Sequence, residues 1–180
     1  DYTMHKIILN IILILSMSYG TTWVGQSSFY PKFIKPTVLS SNIEETQLYF
    51  EFNGYHSTEV QTQDGIQNII DIEGGSSILE LGSPDIDKYT SSIIIPDEGV
   101  TSLEVISSSY HDFYNISIAP SKGYLSRMIN PEDVSYEYNN FYQVDSFYPG
   151  IIAELEDPYI MRDIRGQTVT LYPLQYNPTT

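Results

Sequence analysis

Apolar and polar residues alternate along much of this chain with the period of a β-strand. Between Thr46 and Phe52, three apolar residues (Leu48, Phe50 and Phe52) fall on one face, as in a strand with one buried side. Similar short segments follow at residues 60–63, 66–72, 78–81, 91–95, 103–107, 114–119, 136–144, 159–164 and 168–174. Turn residues separate them about every dozen residues, and no segment has the apolar spacing of a long amphipathic helix. The pattern predicts an all-β fold, an antiparallel β-sandwich.

Two pairs of these segments are predicted to form hairpins. Asp64-Gly65 lies between residues 60–63 and 66–72, and Asp-Gly is a favoured pair in two-residue turns. Arg165-Gly166 lies between residues 159–164 and 168–174 and is predicted to be the turn of the second hairpin.

The N-terminal residues have the pattern of a secretory signal. His5 and Lys6 precede an apolar run from Ile7 to Leu15, and small or polar residues follow through Gly20. A short positive start, an apolar segment too short to span a bilayer and small residues at a cleavage position are typical of such signals. We expect cleavage after Gly20, which leaves no membrane span in the mature chain. A buried N-terminal strand is the alternative, but no polar residues alternate with the isoleucines.

These signals divide the chain into three parts. Residues 1–20 comprise a few upstream residues and the signal peptide. Residues 21–45, rich in Gly, Pro and Ser, are predicted to be a loosely ordered lead-in. Residues 46–180 carry the strand pattern and are predicted to form the folded domain.

The composition narrows the possible chemistry and partners. The 180 residues include no cysteine, which excludes disulfides, thiolate metal sites and a cysteine nucleophile within this chain. The formal net charge of -15 disfavours nucleic acids and anionic membranes as partners. Neutral or basic proteins are the favoured partners, although the charge can also serve solubility alone.

The residues that could act in catalysis or bind a metal lack the neighbouring residues that such a site requires. His56 and His111 lie outside any hydrolase or zinc motif, which disfavours both serine catalysis and a zinc site. Several turn acids lack the alternating spacing of a calcium loop and are interpreted as solvated turn residues. They are Asp64, Asp85, Asp87, Asp97 and Glu98. No cofactor is predicted, with calcium as the alternative.

The segment from Ile118 to Arg127 presents a basic residue in an acidic chain. A strand ends at Pro120, a turn follows at Gly123, and Arg127 comes next in a loop. An exposed loop arginine is by itself most often only solvated.

Four motifs occur in a fixed order in the second half of the chain. They are IAPSKG at 118–123, FYPG at 147–150, DPYIMRDIRGQ at 157–167 and YPLQYNP at 172–178. Together they resemble the N-terminal propeptide of gingipain-type cysteine peptidases, strongly over residues 116–178 and weakly before Thr46. The resemblance implies a β-sandwich of jelly-roll type, whose last strand or strands are expected to be missing from this chain by truncation.

The resemblance also implies a function. In Arg-specific zymogens of this type, the prodomain covers the catalytic domain, assists its folding and places a loop basic residue in the specificity pocket. The matching residue is Arg127, which is then the inhibitory anchor and a candidate processing site. Lys122 is the runner-up if the parent enzyme prefers lysine. The implied partner is the catalytic domain of the same precursor, because this chain carries no catalytic residue. The implied location is extracellular, after export through the inner membrane of a bacterium, or the cell surface.

A secreted β-sandwich that binds glycans or mediates adhesion is the alternative function. Tyr136, Tyr138, Phe141 and Tyr142 could form a sugar-binding platform. A strand with one core face and one aromatic outer face explains them equally well, and we favour that interpretation.

Overall fold

Short strands make up most of the regular structure in the computed structural model, which describes residues 20–26 and 29–180. The strands are β1 (Thr21–Gly25), β2 (Thr37–Ser41), β3 (Thr46–Tyr49), β4 (Gly54–Thr62), β5 (Gly65–Asp71), β6 (Ser76–Ser77), β7 (Asp87–Ile94), β8 (Ala153–Leu155), β9 (Tyr159–Met161) and β10 (Ile164–Leu171). Two short 3-10 helices lie at Pro131–Asp133 and Asn140–Gln143.

The strands pair into antiparallel sheets. One has the order β1-β4-β5, and a second has the order β6-β7-β10-β8, with β9 also paired to β10. The third consists of β2 and β3. The predicted all-β antiparallel fold is confirmed.

A cluster of isoleucines and tyrosines forms the core. Ile70, Ile86, Ile118 and Tyr148 are buried in it, and Ile86 is only 1% exposed. Phe50 and Phe52 pack against this cluster, as other alternating apolar residues do. Burial of these side chains is the main stabilising contribution, at about 1.5 to 3 kcal/mol for each large apolar side chain.

The first predicted hairpin is confirmed, with its turn displaced by one residue. β4 and β5 pair from His56 with Asp71 to Thr62 with Gly65, so the turn residues are Gln63 and Asp64. Gly65 opens β5 with a φ of 110°, a conformation that glycine adopts without steric strain.

The second hairpin forms, but the turn predicted at Arg165-Gly166 is wrong. Met161 pairs with Ile164, so the turn residues are Arg162 and Asp163, and Arg162 has a φ of 57°. Gly166 lies within β10, where an added β-carbon would be 2.8 Å from Cζ of Tyr159. The glycine is therefore explained by the close approach of an aromatic ring rather than by a turn.

Strands do not form at four further predicted segments, 78–81, 103–107, 114–119 and 136–144. Residues 103–107 have no regular secondary structure, and residues 140–143 form a 3-10 helix. Asn139 caps this helix, because its Oδ1 accepts a hydrogen bond of 2.9 Å from the Phe141 amide. An alternating pattern describes a strand only where a second strand is available to pair with it.

The lead-in at residues 21–45 is more ordered than predicted. β1 pairs with β4, and the hydroxyls of Thr21 and Thr58 lie 2.9 Å apart across that pair. β2 pairs with β3 on both sides of Leu39, where the register shifts between Val38 and Ser40. Both pairings depend on partners that follow later in the chain, which local composition does not reveal.

The predicted signal peptide lies almost entirely outside the described residues, which begin at Gly20. Over residues 20–26 and 29–180, no helix has both the length and the apolar character needed to cross a bilayer.

Candidate functional site

The candidate site is the segment 122–131, which we call the Arg127 loop. The chain enters it from the core, where Ala119 donates a backbone hydrogen bond of 2.8 Å to the Asn68 carbonyl of β5. Ser121 and the segment before β7 exchange two further backbone bonds, from Ser121 to the Ser83 carbonyl (2.7 Å) and from Gly82 to the Ser121 carbonyl (2.9 Å). The entry to the loop is thus fixed to buried structure, since Ala119 and Ser121 are at most 2% exposed.

The exit of the loop is a capped 3-10 helix. Asn130 precedes it, and its Oδ1 accepts a hydrogen bond of 3.2 Å from the Glu132 amide. Pro131 begins the helix, where a missing amide hydrogen costs nothing. The sequence Asn130-Pro131 therefore ends the loop at a defined point.

Lys122 joins the entry to the exit. Its Nζ donates a hydrogen bond of 2.8 Å to the Pro131 carbonyl and lies 4.1 Å from the centre of the Tyr136 ring. A charged donor and a cation–π contact on the same ammonium group together close the loop at its base. We call this arrangement the Lys122 brace.

Arg127 lies at the tip of the loop. The Ile129 amide donates a 2.9 Å hydrogen bond to the Ser126 carbonyl, so Arg127 and Met128 are the central residues of a β-turn. Arg127 is exposed, as are its neighbours Tyr124 (87%) and Met128 (93%). Within the described residues, no hydrogen bond or ion pair engages the Arg127 guanidinium.

The other arginines of the chain are placed differently. The Arg165 guanidinium donates to the carbonyls of Pro96 (2.8 Å) and Gly99 (3.2 Å) and so fixes a neighbouring turn. Arg162 is exposed, but it lies in the tight two-residue turn between β9 and β10. Of the three arginines, only Arg127 lies at the tip of an exposed loop of ten residues, 122–131.

A cluster of acids lies beside the entry to the loop. Desolvation by burial raises the pKa of Asp85 to about 6, Asp71 and Asp87 raise it as well, and Lys122 opposes them. Asp87 is 5% exposed, and its carboxylate accepts a hydrogen bond of 3.0 Å from the Ile72 amide. The interpretation of Asp85 and Asp87 as solvated turn residues is therefore wrong, because Asp87 is buried and Asp85 is half-buried.

The aromatic side chains of residues 136–142 contact the rest of the fold and do not form an open platform. Tyr138 donates to Gln67, and the Tyr142 hydroxyl donates to the Ile118 carbonyl at 2.9 Å. Phe141 packs against the core, and Tyr136 lies under Lys122. All four side chains are at least partly buried, which disfavours a sugar-binding platform. The strand with an aromatic outer face that we favoured does not form, because residues 140–143 are a 3-10 helix.

The histidines and acids form no metal centre in the described part of the chain. His56 lies 3.3 Å from Glu73, and His111 is exposed. No group of three or more histidine, aspartate or glutamate side chains among those residues is arranged to hold a metal ion.

Known proteins match this chain over most of its length. The Propeptide_C25 family profile matches residues 33–180. The chain is 38% identical over 143 residues to Gingipain R2 of Porphyromonas gingivalis, covering 79% of this chain and 19% of that protein. It is 25% identical over 150 residues to Lys-gingipain of the same organism, covering 79% of this chain and 9% of that protein. The chain thus spans at most about a fifth of these relatives.

Two solved structures have the same fold. The complex of Porphyromonas gingivalis RgpB pro- and mature domains matches with a TM-score of 0.77 and 37% identity, covering 81% of this chain and 76% of that one. A structure described as an insight into the zymogenic latency of gingipain K from the same organism matches with a TM-score of 0.71 and 22% identity. It covers 88% of this chain and 89% of that one, and at this identity it shows the fold alone. The resemblance to gingipain-type propeptides is confirmed, and the chain belongs to the Propeptide_C25 family.

Proposed function

We propose that this chain is the prodomain of a secreted gingipain-like cysteine endopeptidase precursor, and that it assists folding of the catalytic domain and keeps it latent. Arg127 enters the specificity pocket of that domain, and the acidic surface around the loop covers the cleft. The observation that supports this proposal best is the position of Arg127, exposed at the tip of a loop whose base is closed.

The chemistry of an arginine anchor supports the proposal. A guanidinium fork pairs with a carboxylate through two parallel hydrogen bonds, and burial of that pair in a pocket makes it the dominant contact. Truncation of such a partner typically costs about 2 to 5 kcal/mol of affinity. Lys122, the competing anchor, is held at the loop base by Pro131 and Tyr136, which leaves Arg127 as the better candidate.

The related pro- and mature-domain complex supports a catalytic domain as the partner of this chain. Under this proposal the precursor is exported, and its action lies outside the bacterial cell or on the cell surface. The chain contributes inhibition and folding assistance, and the hydrolysis belongs to the domain that it covers.

Inhibition of mature Gingipain R2 by the purified chain tests this function. We expect the unaltered chain to inhibit and Arg127→Ala to weaken inhibition by at least about tenfold. Arg162→Ala is the matched control, because Arg162 is an exposed arginine in a two-residue turn, and it should inhibit as the unaltered chain does. Equal inhibition by the Arg127→Ala variant would remove Arg127 from the mechanism, and no inhibition by the unaltered chain would contradict the proposal as a whole.

A further inference from the structure

The conformation of the Arg127 loop affects how readily the Arg127–Met128 peptide bond can be hydrolysed. If Arg127 occupies a specificity pocket, as proposed above, the Arg127–Met128 peptide bond lies next to the peptidase nucleophile. Peptides are commonly bound in an extended, strand-like conformation by protein clefts. In this chain the same bond is the centre of a closed β-turn, with the Ile129 amide 2.9 Å from the Ser126 carbonyl.

A closed turn is cut only after it opens. Proteolysis of a folded segment follows the population of its locally unfolded form. The features that keep residues 122–131 closed therefore decide whether the loop is an inhibitor or a substrate.

The strongest link across the loop is the Lys122 brace. The segment between Lys122 and Pro131 holds the turn, and the 2.8 Å bond from Nζ to the Pro131 carbonyl joins its two ends. The Tyr136 ring, 4.1 Å from Nζ, fixes the ammonium group from a residue beyond the loop exit. Asp85 adds a favourable charge interaction with the ammonium group.

We propose that Lys122 is a positioning residue that holds the Arg127 loop closed, so that the loop binds through Arg127 and its Arg127–Met128 bond is hydrolysed slowly. This inference rests on the proposed function, and it assigns to Lys122 the role of a brace in place of an anchor. Removal of the brace converts the loop from an inhibitor into a substrate.

The reaction that the brace slows is ordinary peptide hydrolysis. The peptidase thiolate attacks the Arg127 carbonyl carbon, the C–N bond to Met128 breaks, and the Met128 amine leaves with a proton. Water then hydrolyses the thioester, which frees the thiol and leaves a carboxylate on Arg127. One water molecule is consumed, and nothing is oxidised or reduced.

Limited digestion of the folded chain by trypsin tests the brace without any gingipain. Mass spectrometry follows the cut after Arg127, and the cut after Arg162 in the β9–β10 turn is an internal reference. We expect Lys122→Met to accelerate the cut after Arg127 by about tenfold, because one charged hydrogen bond and one cation–π contact are lost. Lys122→Arg, which keeps both contacts, should remain within about twofold of the unaltered chain.

Two further variants show whether a faster cut results from loss of the Lys122 brace. Lys88→Met is the matched control, since Lys88 is a half-buried lysine on β7 away from the loop, and it should leave both cuts unchanged. Tyr136→Leu removes the ring from the brace by a second route and should also accelerate the cut after Arg127. Hydrogen exchange of the Ile129 amide should quicken in Lys122→Met and not in Lys88→Met. An unchanged cutting rate in both Lys122→Met and Tyr136→Leu overturns the inference.

A second arm uses mature Gingipain R2 and separates the two proposals. We expect the unaltered chain to stay intact while it inhibits, and Lys122→Met to inhibit briefly and then lose inhibition as Arg127–Met128 is cut. If the unaltered chain does not inhibit, the proposed function fails, and the trypsin result still decides whether Lys122 braces the loop. If both chains inhibit equally and stay intact, the role of the brace in inhibition is contradicted.

Discussion

At the scale of single residues, the half-buried Asp85 has a strongly raised pKa. Burial, with Asp71 and Asp87 nearby, raises its pKa from 3.8 to about 6 despite the opposing charge of Lys122. The folded chain thus holds this proton to a higher pH than the unfolded chain does. Its contribution to stability is complete below about pH 4 and is lost as the pH rises towards 6.

This difference in pKa predicts a pH-dependent effect of Asp85→Asn. At pH 7 the variant should be more stable than the unaltered chain by about 2 kcal/mol, because the cost of ionising a buried carboxyl group disappears. At pH 3.5, where Asp85 is protonated, the two chains should have similar free energies of unfolding. Urea denaturation at both pH values measures this difference. The exposed acid Asp97 supplies the control Asp97→Asn, and a loss of stability at both pH values in Asp85→Asn would contradict the prediction.

The sequence indicates Arg127, at the tip of the candidate site, but not the contacts that hold the base of its loop. The resemblance to gingipain-type propeptides points to Arg127 through its place after the contiguous IAPSKG motif. The contacts of Lys122 lie at Pro131 and Tyr136, beyond the motif, and nothing local in the sequence indicates them. The burial of Asp85 was missed for the same reason, since a turn acid is enclosed only by segments distant in sequence.

At the scale of elements, β1 lies very close to β4. Gly25 pairs with Gly54, and an added β-carbon on Gly54 would be 2.3 Å from the Val24 carbonyl oxygen and 2.7 Å from a carbon of the Trp23 ring. Gly54 also has a φ of 148°. The absence of a side chain at this position is therefore required for β1 to join the sheet.

Gly54→Ala should displace β1 and destabilise the chain by about 3 kcal/mol, through overpacking and backbone strain together. Gly65→Ala is the matched control, because Gly65 also has a positive φ, 110°, but an added β-carbon there meets nothing within 4 Å. It should cost only about 1 kcal/mol. Urea denaturation compares the two, and hydrogen exchange of the β1 amides reports whether that strand detaches. If both variants lose the same free energy of unfolding, the close approach of β1 to Gly54 does not limit stability.

The alternating pattern predicted the class of the fold well and the boundaries of its elements less well. β5 coincides with the predicted segment 66–72, and Ile70 on it lies in the core. β4, β7 and β10 overlap the predicted segments 60–63, 91–95 and 168–174 only in part. Residues 136–144 have similar aromatic spacing, but Asn139 caps a 3-10 helix there and the aromatic side chains pack inwards from it. The sequence does not indicate the turn at Arg162-Asp163, because Gly166 is the stronger local turn signal. The glycine is instead required by the close approach of the Tyr159 ring.

At the scale of the whole molecule, charge repulsion is poorly balanced by attraction. The chain has a formal net charge of -15, with 23 acids against 8 lysines and arginines. Among the residues that the structure describes, the one ion pair within 4.0 Å joins His56 to Glu73, and it requires a protonated histidine. Added salt therefore mainly screens the repulsion between acidic side chains, because there are few attractive charge pairs to weaken.

We accordingly expect salt to stabilise this protein. Raising NaCl from about 10 mM to about 150 mM shortens the screening length from about 30 Å to about 8 Å and should raise Tm at pH 7 by about 3 °C. Glu98→Lys, in an exposed loop, changes the net charge by two and should reduce this response, whereas Glu98→Gln should have half that effect. Thermal unfolding followed by circular dichroism gives both Tm values. A Tm that falls with salt would mean that attractive charge pairs dominate, and the acidic surface would then stabilise the fold rather than oppose it.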